Sequence, residues 1–182
     1  TRNADVTILA AKVPVADAAG FGNLLAGGEG DVIDFQDRPE CPYAMTAWPG
    51  FAHVSTGNYL FNTEVLVEAL EGALDGTDVD FGRHILPRLT RTHCVYAFDL
   101  ENNYIPGVPS YEERAYWREV ATLEDYAAAH CDLVGKYPRF DLQNLYWPIL
   151  PARFSPPPSF RGGHPCSYAM DYGDLAARFH FA

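Results

Sequence analysis

The chain has 182 residues and a hydrophobic content of 48%, enough for one ordinary globular domain with a real core rather than a disordered chain. Its formal net charge of -11 argues against a nucleic-acid partner, because binding to a phosphate backbone rests on neutralising phosphates with Lys and Arg. No stretch approaches the roughly 20 apolar residues of a membrane helix, and the N-terminal TRNADVTILAAKVPV has neither the basic flank nor the cleavage site of a signal peptide, so a soluble, cytoplasmic chain is expected.

Val6 to Ala11 is a short apolar run rich in β-branched residues, followed by Lys12-Val13-Pro14-Val15, which predicts a buried strand ending at the proline. No preceding residues supply its first neighbour. The run is therefore expected to leave an apolar strand edge open, with poor solubility as the consequence. Two further strands are expected from Phe21 to Ala26 and from Asp31 to Gln36, joined as a hairpin by Gly27-Gly28-Glu29-Gly30. That glycine run is not a phosphate loop, since a strand rather than a helix follows it and no Lys or Arg stands nearby.

Phe51 to Phe61 is rich in aromatics and fits a central strand. Asn62-Thr63-Glu64 reads as a helix start, with Val65, Leu66, Ala69, Leu70 and Leu74 at helical spacing until Gly76. Asp80 to Leu89 predicts a short helix with Ile85, Leu86 and Leu89 inward, and Cys94 to Phe98 a strand. Leu123 to Val134 predicts a helix capped at Thr122, with Glu124 and Asp125 in its first turn, where the helix dipole favours negative charge. Beyond Tyr137 the prolines Pro138, Pro148, Pro151 and Pro156 to Pro158 break regular structure, and Ser159 to Ala182 has no sustained period. Strands alternating with helices give an α/β fold with a β-hairpin insertion near its start. Residues 1–149 form the domain, and 150–182 a Pro-rich linker and tail.

Cys41, Cys94, Cys131 and Cys166 lack C-x-x-C spacing, so reduced thiols are expected. The six histidines include no i, i+4 pair, so no dedicated zinc site is expected.

Three segments could carry chemistry. Asp37-Arg38-Pro39 ends a strand with an acid that can accept sugar hydroxyls and a cation that can pair a phosphate; the alternative is an exposed turn with a solvated ion pair. Ser55-Thr56-Gly57-Asn58-Tyr59 sets small and hydroxyl residues within an apolar strand, reaching either a ligand or a neighbouring core group. Tyr116-Trp117-Arg118-Glu119-Val120-Ala121-Thr122 joins an aromatic pair to a base and an acid. It could place a Mg²⁺ ligand at a strand end, or be an ordinary strand with one buried face.

Taken together, Gly20-Phe21-Gly22, Asp34 to Pro39, Ser55 to Phe61, Asp80-Phe81-Gly82 with Ile85 to Leu89, Tyr116 to Leu123 and Trp147-Pro148-Ile149 resemble, in that order, the bacterial glucose-1-phosphate adenylyltransferases, the ADP-glucose pyrophosphorylases. The resemblance runs from about Val6 to Ile149. It implies part of a nucleotide-diphospho-sugar transferase domain with a Rossmann-like mixed sheet. It also implies a reaction that makes ADP-glucose and pyrophosphate from ATP and glucose 1-phosphate for glycogen biosynthesis, with Mg²⁺ as cofactor, in a family of homo-tetramers.

Residue by residue, the resemblance assigns Gly22, Asp37, Arg38 and Ser55 to glucose 1-phosphate and Glu119 to Mg²⁺, with no catalytic residue. Asp37-Arg38 stands where the family has Glu-Lys, Glu119 where it has Asp, and Ala121 where it has Gly. The family's N-terminal glycine-rich loop, which belongs to the nucleotide half, and its C-terminal left-handed β-helix have no counterpart in these residues. The chain is thus expected to be a fragment that does not turn over alone. The competing expectations are a non-catalytic subunit that binds glucose 1-phosphate or regulates a complete partner, and a related nucleotidyltransferase with another sugar or nucleotide.

Overall fold

A computed structural model describes residues 3–74, 80–142, 144, 146 and 147. The chain divides into two compact units, Thr1–Asn103 and Tyr104–Ala182.

The first unit is built on a five-stranded mixed sheet. Strand β1 spans Val6–Pro14, β2 Gly22–Ala26, β3 Val32–Asp37, β4 Phe51–Phe61 and β5 Val95–Asp99, in the spatial order β3-β2-β4-β1-β5. β1 runs antiparallel to β4 and parallel to β5. The expected open edge is therefore not where the sequence suggested: β1 has a neighbour on each side, because the long strand β4 and the distant strand β5 return to cover it. The edge strands of this sheet are β3 and β5.

β2 and β3 form the expected hairpin, closed by hydrogen bonds from Gly27 N to Asp31 O (2.8 Å) and from Gly30 N to Gly27 O (3.0 Å). Helix α1, Thr63–Leu74, begins where Asn62 Oδ1 accepts from Glu64 N at 3.0 Å. The stop expected at Gly76 lies outside the described residues. A π-helical turn, Phe81–Ile85, leads into helix α2, Leu86–Thr92. Ile85, Leu86 and Leu89 are buried as their spacing requires, and they join Val6, Ile8, Ala10, Leu24, Val32, Phe35, Val65, Ala69, Val95 and Ala97 in one core.

The second unit contains helix α3, Leu123–Asp132, two residues shorter than its apolar pattern suggested. Its cap is Thr122, with the reciprocal bonds of a capping box to Asp125. The segment Tyr116 to Ala121 is irregular rather than a strand. Its backbone is set by side chains instead. Arg118 is gripped by Glu113 (2.8 and 2.6 Å) and Asp132 (2.8 Å) and lies over the Tyr116 ring, 4.4 Å from its centre. Tyr116 in turn stacks on Phe140. Those bonds hold the Glu113 carboxyl below the usual carboxylate range, the Arg118 hydrogen bonds being the largest cause. Cys41, Cys94 and Cys131 are free thiols, as expected, and the proposed boundary near residue 149 and the tail lie outside the described residues. Among the described residues no helix is long and apolar enough to cross a membrane.

Candidate functional site

The hairpin sets Gly22 directly opposite Asp37, since these residues pair across β2 and β3. Gly22 lies close against the Phe35 ring, where an added Cβ would approach Phe35 Cζ to 2.5 Å, so this position admits only glycine without a shift of the ring. On the other side of β2, Asn23 faces Val54 of β4. Gly22 and Ser55 are the next residues outward along those two strands. Three of the four expected sugar-phosphate residues therefore lie side by side across the sheet, at the end of β3, the start of β2 and the middle of β4.

Ser55 stands at the base of a bulge. β1 and β4 are in register from Val6↔Phe61 to Ile8↔Tyr59, and resume at Ala10↔Ser55, so that Thr56, Gly57 and Asn58 oppose Leu9 alone. Gly57 takes φ +79°, which a larger residue rarely adopts, and Thr56 Oγ1 donates to Leu9 O at 2.9 Å to seat the bulge. The bulge, rather than a ligand approaching the backbone, accounts for the glycine in this strand. The Ser55 hydroxyl, 8% exposed, donates to Tyr59 Oη (3.0 Å) and accepts from Gly57 N (3.1 Å). It is a bonded core hydroxyl whose effect is to orient the tyrosine.

Asp37 is joined not to its neighbour but to Arg83, 46 residues away: Arg83 Nε donates to Asp37 Oδ2 at 3.1 Å. Arg83 belongs to the π-helical turn, whose start is capped by Asp80, with Asp80 Oδ1 accepting from Arg83 N at 2.8 Å. A Cβ built on Gly82 would sit 3.3 Å from Asp37 Oδ1 and 3.4 Å from Asp80 Oδ1, so two carboxylates converge on a glycine. Phe81 from the same turn stacks on Tyr59, with ring centres 5.9 Å apart. Burial raises the Tyr59 phenol above the usual tyrosine range, and the charges of Asp80 and Asp37 add to the rise against the lowering effect of the Ser55 bond. Tyr59, Asp80, Phe81 and Arg83 thus join the candidate site; Tyr59, Asp80 and Phe81 lay within segments that the sequence reading singled out without assigning them to it, and Arg83 was not singled out. The signal available was the run Asp80-Phe81-Gly82-Arg83, in which an acid, an aromatic, a glycine and a base stand consecutively before an apolar helix.

Arg38, the cation beside Asp37, is exposed and takes φ 46°, in the left-handed region. Its backbone N donates to Phe21 O (3.0 Å) and its Nε to Gly20 O (3.3 Å), so it is fastened to the loop that enters β2. The residue combines backbone strain with a solvent-facing guanidinium at the strand end.

Glu119 belongs to the second unit, where it is exposed in the irregular segment between Arg118 and the α3 cap. Among the described residues no group of three or more His, Cys, Asp and Glu side chains is gathered as a metal site. A hard cation takes six or more oxygens, so one carboxylate does not by itself make a metal centre.

Residues 1–135 match the family model described as nucleotidyl transferase. The chain is 43% identical over 157 residues to a glucose-1-phosphate adenylyltransferase of Thermodesulfovibrio yellowstonii, covering 86% of this chain and 38% of that protein. It is 45% identical over 161 residues to the enzyme of that name from Thermus thermophilus, again covering 86% and 38%. Against the Mycobacterium ulcerans protein of the same name it is 40% identical over 148 residues, covering 80% of this chain and 36% of the relative. The chain therefore spans a little over a third of the length of these relatives. With more than half of its residues matched by the family model, on a five-stranded mixed sheet, the chain belongs to the nucleotidyl transferase family.

Proposed function

We propose that this chain carries the sugar-phosphate site of a glucose-1-phosphate adenylyltransferase. The observation that supports it most is the convergence of Asp37 and Asp80 on Gly82, beside Phe81, which stacks on the Tyr59 that Ser55 bonds, with Arg38 at the adjoining strand end. This is one acidic, hydroxyl-rich patch for a sugar beside one cation for its phosphate. The names of the relatives favour this reading over a transferase with another sugar or nucleotide. In the whole reaction an oxygen of the glucose phosphate forms a bond to the α-phosphorus of ATP as the bond from that phosphorus to the β-phosphate oxygen breaks and pyrophosphate leaves. Such a displacement depends chiefly on positioning and charge.

The residues of this chain bind and orient. The Asp37 carboxylate accepts from sugar hydroxyls, and the Arg38 fork pairs the phosphate oxygens. The Tyr59 hydroxyl, having accepted from Ser55, keeps its own proton to donate to the sugar. Gly22 lets the Phe35 ring pack against β2 directly opposite Asp37. Nucleotidyl transferases generally use a divalent metal. Mg²⁺ is the proposed ion, which when bound offsets the charge that develops on the phosphates, and Glu119 is the ligand that this chain would supply.

The test is titration calorimetry of the 182-residue chain with glucose 1-phosphate, run beside an assay of pyrophosphate release from ATP, glucose 1-phosphate and Mg²⁺. Binding that is weakened by Asp37→Asn and by Arg38→Ala is the expected result. Binding without pyrophosphate release would favour the non-catalytic, sugar-phosphate-binding reading, and absence of binding would overturn the assignment of the site.

A further inference from the structure

We infer that Arg83 is a positioning residue for the sugar-binding carboxylate of Asp37, and this inference rests on the sugar-phosphate reading of the site. A carboxylate has two oxygens, and in this site they have different surroundings. Oδ2 of Asp37 is taken by Arg83 Nε at 3.1 Å. Oδ1 points toward the open side of Gly82, where the Asp80 carboxylate also approaches. Pinning one oxygen fixes the rotation of the carboxylate plane, so the other presents its lone pairs in one direction instead of sweeping through many. For a sugar, whose hydroxyls are recognised by the direction of each acceptor, that fixed direction decides how tightly the ligand is held.

Arg83 touches both acids, through its backbone N to Asp80 Oδ1 and through Nε to Asp37 Oδ2. Two carboxylates meeting at one glycine repel each other; the guanidinium paired with Asp37 offsets that repulsion, while Asp80 is held by the neutral backbone N–H of the same residue. The arrangement also explains the glycine at 82, since a side chain there would press on both oxygens at once. The Arg83 side chain is 63% exposed, so the pair is worth little to stability, and variants at this position should fold. Arginine suits the task better than lysine because Nε and the fork are planar and directional, whereas an ammonium supplies charge without a fixed plane.

The experiment is a double-mutant cycle read by calorimetry with glucose 1-phosphate, using the 182-residue chain and its Arg83→Gln, Arg83→Lys, Asp37→Asn and Asp37→Asn/Arg83→Gln variants, each checked by thermal melting. The expected result is a weakening on the order of tenfold for Arg83→Gln, with partial rescue in Arg83→Lys. With Asp37 already Asn, the same Arg83→Gln change should have no further effect. Melting temperatures should match the native chain. If Arg83→Gln weakens binding by the same factor with Asn at 37 as with Asp, Arg83 acts independently of the carboxylate and the inference is overturned. If Arg83→Gln lowers the melting temperature, the comparison passes to Arg83→Lys, made alone and together with Asp37→Asn, with the same two outcomes. If the native chain itself does not bind, the sugar-phosphate reading fails and takes this inference with it, a result distinct from additive mutations in a chain that binds.

Discussion

Arg38 holds φ at 46°, a conformation that costs an L-residue roughly 1–2 kcal/mol relative to ordinary backbone. Replacement by glycine removes that cost but adds about 0.4–1 kcal/mol of backbone freedom to the unfolded chain, and it loses the Nε bond to Gly20 O at the exposed surface. Replacement by alanine keeps the strain and loses the same bond. Arg38→Gly should therefore melt at or near the native temperature and above Arg38→Ala, while both lose affinity for glucose 1-phosphate because both lose the cation. Melting curves and calorimetry on the two variants check this, and an Arg38→Gly variant less stable than Arg38→Ala would refute the strain argument. The candidate position itself was legible in the sequence, since an acid and a base at the end of a strand suit a sugar phosphate. What could not be read was which cation meets Asp37. Arg38 leaves the strand in a left-handed conformation and is fastened to Gly20 and Phe21, and the partner of Asp37 arrives from a turn 46 residues later.

At the scale of the element, α3 shows what a local signal can and cannot deliver. Its ten residues include none that is buried, and Leu123 and Tyr126 are 71% and 51% exposed, so packing contributes little to holding it. The cap then carries unusual weight. Thr122→Ala should cost on the order of 1 kcal/mol of helix stability, visible as faster amide exchange across Leu123–Asp132. The same cap gives the helix a pH dependence. The Asp125 carboxyl is held below the usual carboxylate range, first by the Thr122 hydroxyl and then by the Thr122 backbone N–H. A group with a depressed folded pKa contributes stability above its unfolded value near 4, and that contribution is lost as the pH falls through the folded value. Amide protection in α3 should therefore decline on acidification in the native chain and change less steeply in Thr122→Ala.

The cap, the first-turn acids and the helix start at Asn62 were legible because each is a short-range pattern. The segment before α3 was not. Tyr116 to Ala121 has the composition of a strand but is fixed by the grip of Glu113 and Asp132 on Arg118, a side-chain network whose members lie on both sides of it in sequence.

The first unit as a whole turns on β1. The periodicity of Val6 to Ala11 marked a buried strand, and the hairpin at Gly27 to Gly30 followed from its glycines, but the order of the strands did not follow from their order in sequence. β4 and β5 enclose β1 although 36 and 80 residues separate their first residues from the end of β1 at Pro14 and the latter connection passes through two helices. That closure converts an expected apolar edge into an interior strand of the sheet, and it makes a quantitative statement possible. Ile8 pairs with Tyr59 on one side and Ala97 on the other and is 0% exposed, so truncating it removes packing from the middle of the sheet. Leu60, on the neighbouring strand and opposite Thr7, is 75% exposed. Ile8→Ala should lower unfolding stability by about 2–5 kcal/mol, and Leu60→Ala by less than about 0.5 kcal/mol. Guanidinium unfolding followed by tyrosine and tryptophan fluorescence measures both. Ile8 belongs to the core and Leu60 does not, so the ratio of the two losses reads which residues of the paired strands β1 and β4 face the core, independently of any ligand, and a small loss for Ile8→Ala would contradict its place there.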